Sequence, residues 1–405
     1  MKRYKQSYTT MILDYFTESN NRKIITNQNI GKNLLLYIHI PFCESFCSYC
    51  PFYKIKYNKE IIERFLTNII AEIYLYRSFF SSKSLKYVHF GGGSPSLLTI
   101  NQIKRIIDTI KVYSENISFE ISIEISPLHL STKILNEYKS IGINRVSVGL
   151  QSFSYSENKE YGRIKHYDKI INNIQFLSTY YNNFNVDLII GAPNQTLKSI
   201  NDSLIKAIKL NPGNITLYPW TSKNHLDQLD RFFLYNSYKL SYNILKFNNY
   251  VQTGSLSFGK VYPNNFNELS FEDKMLDRDT NFIGVGPSAF SNVSNCAYIN
   301  TNDINTYIQL IEKGAAPQKL FFNKYTIKIF KYILSLSSSI FSKKIRNIEL
   351  ELLTKLKILR TNNGNNIYTF NGLYDLIYIY RRYQQIHSFW ILESKKFGWN
   401  YETFC

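Results

Sequence analysis

The 405-residue chain is 44% hydrophobic and carries 48 Lys and Arg against 30 Asp and Glu, a formal charge of +18. That length supports one large core plus a smaller domain, and 17 Gly with 10 Pro exclude a collagen-like or low-complexity chain. The positive charge is spread along the chain, apart from small knots at Lys343-Lys344-Ile345-Arg346 and Arg381-Arg382, so no nucleic-acid footprint is expected. The field would still attract an acidic substrate, such as a molecule with several carboxylates.

The chain opens Met1-Lys2-Arg3-Tyr4-Lys5-Gln6 and continues polar, without the apolar core of a signal peptide. No apolar run is long enough to span a bilayer, so the expected location is cytoplasmic with no membrane span. Residues 1–33 read as an N-terminal extension. From residue 34, β-branched or aromatic runs alternate with stretches of helical periodicity. Strands are expected at 34–40, 86–91, 117–126, 145–152, 185–193 and 214–220. Helices are expected between them, at 59–80, 99–114, 131–141, 166–181 and 196–210, the last closed by Asn211-Pro212-Gly213. Strands alternating with helices predict an α/β fold with a parallel sheet, and six such strands can curl into a partial barrel over 34–225. The chemistry of such folds sits at the carboxyl ends of the strands.

Beyond residue 225 the pattern loosens. Helices are expected at 227–247 and 303–313, within a region, 226–319, that would connect to the barrel and shape a substrate cavity. From residue 320 the chain reads as helices around a hairpin turning at Thr361-Asn362-Asn363-Gly364-Asn365-Asn366, a small, mainly helical, winged-helix-like C-terminal domain over 320–405.

Five cysteines occur, and Cys43, Cys47 and Cys50 fall within eight residues. A tight cluster in a chain without a secretory leader reads as metal binding rather than a disulfide framework. Thiolates ligate iron–sulfur clusters, and intervals of four and three leave one iron of a cubane without a protein ligand. Zinc is the competing reading, but a structural zinc site needs four ligands. His39 could supply the fourth, yet its place in a strand fits a packing or hydrogen-bonding histidine better. Cys296 and Cys405 have no neighbouring ligand pattern.

Cys-x3-Cys-x2-Cys after the first strand, with Tyr49 before the last Cys, resembles the signature of the radical S-adenosylmethionine (SAM) superfamily. Further stretches resemble the subgroup holding oxygen-independent coproporphyrinogen III oxidase and the haem chaperone HemW. These are Tyr37-Ile38-His39-Ile40-Pro41-Phe42-Cys43, His89-Phe90-Gly91-Gly92-Gly93-Ser94-Pro95-Ser96, Glu120-Ile121-Ser122-Ile123-Glu124, Gly149-Leu150-Gln151-Ser152-Phe153, Val186-Asp187-Leu188-Ile189-Ile190-Gly191-Ala192-Pro193 and Gly284-Val285-Gly286-Pro287-Ser288-Ala289. The resemblance runs in order over residues 37–290.

It implies a [4Fe–4S] cluster on Cys43, Cys47 and Cys50, whose open iron is chelated by the amino and carboxylate groups of SAM. An electron then cleaves the sulfonium to a 5′-deoxyadenosyl radical. It further implies that Gly91, Gly92 and Gly93 receive the methionine end of SAM and that Glu124 meets its α-ammonium, with Glu120 as a helper. Gln151, Arg163 and Asp187 would contact ribose and carboxylate, Tyr49 would pack beside the adenine, and Tyr37 belongs to the same set. Gly284-Val285-Gly286-Pro287-Ser288-Ala289 reads as a tight loop that could cover the cavity. The implied partners are a tetrapyrrole or similar small molecule and an electron donor of flavodoxin or ferredoxin type.

The pattern breaks in three places, one being the segment before the first strand, which is longer than HemW needs. Coproporphyrinogen oxidases carry another Cys two residues after the third, where Phe52 stands here. HemW carries a His-Asn-x-x-Tyr-Trp motif whose places fall on Glu272, Asp273, Leu276 and Asp277. The expectation is therefore a radical SAM enzyme of this group acting on a tetrapyrrole, with methyl transfer as one option. The alternative is a haem carrier without turnover, and a barrel that binds no SAM is a third reading.

Overall fold

The computed structural model describes residues 33–50, 52–80, 85–114, 118–163, 167–220, 231–254, 256–262, 269–276, 280–293, 296–322, 359–362 and 365–368. The expected N-terminal extension lies outside the described residues except for Asn33, which begins the first strand. The winged-helix-like domain also lies outside them, except for residues 320–322, which belong to a strand of the main sheet, and an antiparallel hairpin of Leu359–Asn362 with Asn365–Tyr368, where the turn was expected.

The expected alternation is present. In chain order run β1 (Asn33–Ile40), α1 (Lys59–Leu75), β2 (Leu85–Gly92), α2 (Ile100–Tyr113), β3 (Glu120–Ile125), α3 (Thr132–Ser140), β4 (Arg145–Gln151), α4 (Tyr155–Glu160), α5 (Tyr167–Ile174), β5 (Phe184–Ile190), α6 (Leu197–Lys209) and β6 (Asn214–Pro219). Side-chain caps set the helix starts. Asn58 caps α1 and Ser131 caps α3, while Thr99 and Thr196 form capping boxes on α2 and α6.

β1 through β6 pair in parallel in sequence order. After α7 (Arg231–Phe247) the chain adds β7 (Tyr250–Gln252) and β8 (Ser257–Lys260), which extend the β6 edge antiparallel. It passes through α8 (Phe271–Leu276) to β9 (Thr280–Val285), a seventh parallel strand on the free side of β1. β10 (Phe290–Val293), β11 (Cys296–Asn300) and, after α9 (Ile304–Glu312), β12 (Gln318–Phe322) continue that side antiparallel. Among the described residues the result is one twelve-stranded open sheet with a parallel centre.

Several expectations move. The helix expected over 59–80 breaks at Tyr76, and that over 166–181 divides into α5 and a turn at Leu177–Tyr180. The strand expected over 185–193 stops at Ile190, because Gly191 turns the chain with φ +75°. Asp187 sits at the middle of β5. Gly284 and Val285, read as part of a covering loop, are the last residues of β9.

The two faces of the parallel sheet differ in chemistry. Leu34, Leu36, Ile38, Val88, Phe90, Ile121, Ile123, Val146, Val148, Val186 and Leu188 alternate onto the face that packs under helix residues such as Phe65, Ile69, Ile106 and Leu204. Register places Tyr37, His89, Ser122 and Glu124, Arg145 and Ser147, Asn185 and Asp187, and Asn214 and Thr216 on the other face. That polar inner face positions the site.

Candidate functional site

β1 delivers the cysteines. Past Ile40 the chain makes a two-residue parallel ladder, Phe42–Cys43 with Ile55–Lys56. Ile55 N–H donates to Pro41 O at 2.8 Å and Tyr57 N–H to Cys43 O at 2.9 Å, so both ends of the intervening loop are pinned. Inside it the Lys54 ammonium donates to Cys50 O at 2.8 Å, Lys56 donates to Glu44 O, and Ser48 Oγ donates to Glu160 O at 3.0 Å. Cys43, Cys47 and Cys50 are all free thiols. Cys43 is buried, and burial pushes its thiol up to about 11, with the neighbouring Cys50 and Cys47 adding to the rise and Ser94 and Lys54 opposing it. Burial also raises the Cys50 thiol, against Lys54.

The expected glycine loop follows β2 and lies against this segment. A Cβ on Gly93 would stand 2.6 Å from Phe42 O and 2.9 Å from Ile40 O, and Gly93 N–H donates to Ile40 O at 2.7 Å. A Cβ on Gly92 would meet the His39 ring at 2.7 Å, and one on Gly91 would meet Glu124 Oε1 at 2.6 Å and Tyr37 Cε2 at 2.8 Å. The three glycines are therefore needed for the chain's own packing.

On the inner face a polar chain runs Ser122–His89–Glu124. His89 is buried, with Nδ1 at 2.7 Å from Ser122 Oγ and Nε2 at 3.2 Å from Glu124 Oε1. Glu124 keeps 40% of its side chain exposed, so its second oxygen can meet a ligand. Tyr37 stacks on His89 and gives its OH to His39 Nδ1 at 3.1 Å, while His39 Nε2 donates to Tyr53 O at 3.1 Å. With both ring nitrogens so engaged, His39 is a hydrogen-bonding histidine, as its strand position suggests. Glu120, the expected helper, is instead clamped by Lys274 at 2.6 and 2.7 Å. Phe271, one turn earlier on α8, stacks on His89 at 3.8 Å.

Across the sheet, β4 ends in a bulge between Gly149 and Gln151, and Gln151 takes φ +68°. Arg163 Nη1 donates to Gly149 O at 2.6 Å, which ties this expected cation beside Gln151 rather than leaving it on the surface. Asp187 is Gly149's register partner; Asn185 Nδ2 donates to it at 2.6 Å and Ser147 Oγ at 3.1 Å. Tyr49 lies edge-on to Tyr161 at 5.6 Å and tilted to Trp220 at 6.0 Å. Burial raises the Tyr49 phenol, opposed by Arg163.

The structure thus gathers Tyr37, Gly91, Gly92, Gly93 and Glu124 around one end of the cysteine loop, and Tyr49, Gln151, Arg163 and Asp187 around the other. His89, Ser122, Tyr161, Trp220, Phe271 and Lys274 join them without having been singled out as site residues. Inward alternation could have flagged His89 and Ser122. Nothing local marks Lys274 or Phe271, which arrive from more than a hundred residues away.

Residues 37–206 match the radical SAM superfamily. The haem chaperone HemW of Buchnera aphidicola subsp. Schizaphis graminum is 36% identical over 190 residues, 46% of this chain and 50% of that protein. The oxygen-independent coproporphyrinogen III oxidase of Escherichia coli (strain K12) is 26% identical over 314 residues, 69% of this chain and 66% of that protein. The chain thus spans about half the length of that HemW relative. Among solved structures, coproporphyrinogen III oxidase (HemN) from Escherichia coli, "a Radical SAM enzyme", has a TM-score of 0.71 at 20% identity, covering 92% of this chain and 98% of that one. That likeness is one of fold.

The superfamily match implies a [4Fe–4S] cluster and SAM, and the residues fit both. Burial makes Cys43 and Cys50 unfavourable as free thiolates, and an iron centre, which holds bound thiols deprotonated, suits them. Among the described residues no three His, Cys, Asp or Glu side chains are arranged for a single metal ion. A cubane spreads its thiolates over separate irons and does not require that convergence. Beside Tyr49, Tyr161 Oη and Trp220 Nε1 are buried without a hydrogen-bond partner among the described residues, as polar groups facing a ligand or water would be.

Proposed function

The chain carries a radical SAM domain of the coproporphyrinogen III oxidase and HemW-like subgroup, and from that premise we propose that it is an enzyme acting on a tetrapyrrole in porphyrin or haem metabolism. The observation that carries this is the meeting of the three-cysteine loop, the glycine loop and the polar inner face at the carboxyl ends of parallel strands. Cys43, Cys47 and Cys50 would hold the cluster. When bound, the cluster and SAM supply reductive cleavage of the sulfonium to a 5′-deoxyadenosyl radical.

The chain's own residues bind and orient. Gly91, Gly92 and Gly93 leave room for the methionine end of SAM. Glu124, held by His89, offers a carboxylate oxygen to the α-ammonium. Arg163 and Gln151 face the carboxylate and ribose, with Asp187 completing the ribose side, and Tyr49 flanks the adenine. The net charge of +18 and the names of the relatives support a flat, carboxylated substrate. The electron would come from a donor of flavodoxin or ferredoxin type.

A haem carrier is the second reading, favoured by the 36% identity to HemW. Against it, Glu272 and Asp273 stand where the HemW motif has His and Asn.

The test is a product assay on anaerobically reconstituted protein with SAM and a strong reductant, with and without haem or coproporphyrinogen. 5′-deoxyadenosine that rises with a porphyrin supports the enzyme, and S-adenosylhomocysteine rising alongside it assigns methyl transfer. Neither product, together with tight haem binding, gives the carrier. Cys43→Ala, Cys47→Ala and Cys50→Ala should each abolish the brown colour and the iron content, and full iron in all three would sink the cluster assignment.

A further inference from the structure

The cysteine loop carries one acidic side chain between its first two thiols, Glu44, and that side chain is held. Glu44 Oε2 lies 3.2 Å from His129 Nε2, and His129 Nδ1 lies 2.8 Å from Ser96 Oγ. Ser96 Oγ in turn accepts the Ser126 amide N–H at 3.2 Å. The chemistry fixes the direction of the chain. A carboxylate only accepts, so Nε2 carries the proton; Nδ1 of that tautomer accepts from the Ser96 hydroxyl, whose lone pair takes the Ser126 N–H. His129 itself is set by a tight turn, with its N–H donating to Ser126 O at 2.9 Å.

Three separate pieces of the fold meet in this chain: the loop after β1, the turn after β2, and the turn after β3. The segment after β2 touches the cysteine loop a second time, through Ser94 Oγ and Cys43 Sγ at 4.0 Å. Glu44 is also held by its backbone carbonyl, which accepts from Lys56. Glu44, the first of the three residues between Cys43 and Cys47, is thus fixed by main chain and side chain at once, although its side chain is 57% exposed.

We propose that Ser96, His129 and Glu44 form a clasp that holds the cysteine loop in register for cluster binding, with His129 as the positioning residue. The proposal rests on the cluster reading only for what the loop is held to do. The clasp is made of protein side chains alone. It lowers the freedom of the Cys43–Cys47 segment, so the thiols lose less entropy when they ligate.

The test begins with the full-length apoprotein. The rate at which iodoacetamide labels Cys47 is read by mass spectrometry in wild type, His129→Ala, Glu44→Ala, the double variant and His129→Gln. A released loop should label roughly three- to tenfold faster in each alanine variant, the scale of one charge-assisted hydrogen bond at a partly exposed site. The double variant should be no faster than either single one, because both remove the same interaction. His129→Gln keeps an N–H for the carboxylate and should label at the wild-type rate. In reconstituted protein the alanine variants should lose iron to a chelator faster, with a broadened spectrum of the reduced cluster.

Wild-type labelling rates in both alanine variants, effects that add in the double variant, or a His129→Gln protein as loose as His129→Ala would each overturn the clasp. Wild-type protein that takes up no iron would overturn the cofactor reading instead, and the labelling rates would still decide the clasp.

Discussion

At the scale of the residue, the glycine loop shows how a motif serves the protein and its ligand at once. A side chain at Gly93 would press on the carbonyls of Phe42 and Ile40, which no rotamer change can move. A side chain at Gly91 would press on the end of Glu124 and the edge of Tyr37. Gly93→Ala should therefore cost about 1–3 kcal/mol of stability, as overpacking typically does. Gly91→Ala should cost less stability but displace the Glu124 carboxylate and weaken SAM binding. Thermal melts and SAM titrations of the two variants check this, and equal melting temperatures would refute the ranking. Glu124 was legible from its alternation in a strand. Its holder His89 is not legible as such, because a pairing across two strands depends on register and not on local spacing.

At the scale of the element, α1 is joined to the far end of the sheet by one buried carboxylate. Glu72 accepts from Gly286 N–H at 2.7 Å, Tyr307 Oη–H at 2.6 Å and Asn300 Nδ2–H at 2.7 Å, linking α1 to the end of β9, to β11 and to α9. Burial raises its carboxyl to about 7, although all three hydrogen bonds pull it down. The folded form thus holds this proton more tightly than the unfolded chain does, with 4.5 as the ordinary value. Stability from this group is full below that ordinary value and is lost as pH rises towards 7, by about 3 kcal/mol in all. Melts of Glu72→Gln across that window should lose this downward slope, whereas a slope as steep as wild type would show that another group titrates. The break of α1 at Tyr76 belongs to the same region. Tyr76 Oη accepts from Tyr298 at 3.0 Å and from Gln318 at 2.9 Å, partners more than two hundred residues away, so the continuous apolar periodicity of 59–80 gave no sign of it.

At the scale of the whole molecule, the alternating strands and helices were readable because each βα unit is local, with its periodicity changing from two to about 3.6 within some thirty residues. The cysteine loop and glycine loop were readable for the same reason. β9 was not: Thr280–Val285 is short and follows loosely patterned chain, and only its pairing with β1 makes it a central strand. That pairing joins residues 247 apart in sequence, Asn33 with Thr280 through Ile38 with Val285. During synthesis β1 can gain β2 early, but its other edge waits for β9, roughly 10–50 s later at ordinary elongation rates. Through that interval Leu34, Leu35 and Leu36 form an apolar strand with one open edge, a template for pairing with another chain. A chain cut before residue 280 should therefore aggregate where one cut after residue 322 stays dispersed, as light scattering of the two truncations would show. Long-range closure of this kind makes the nascent chain a client for chaperones until its last parallel strand has emerged.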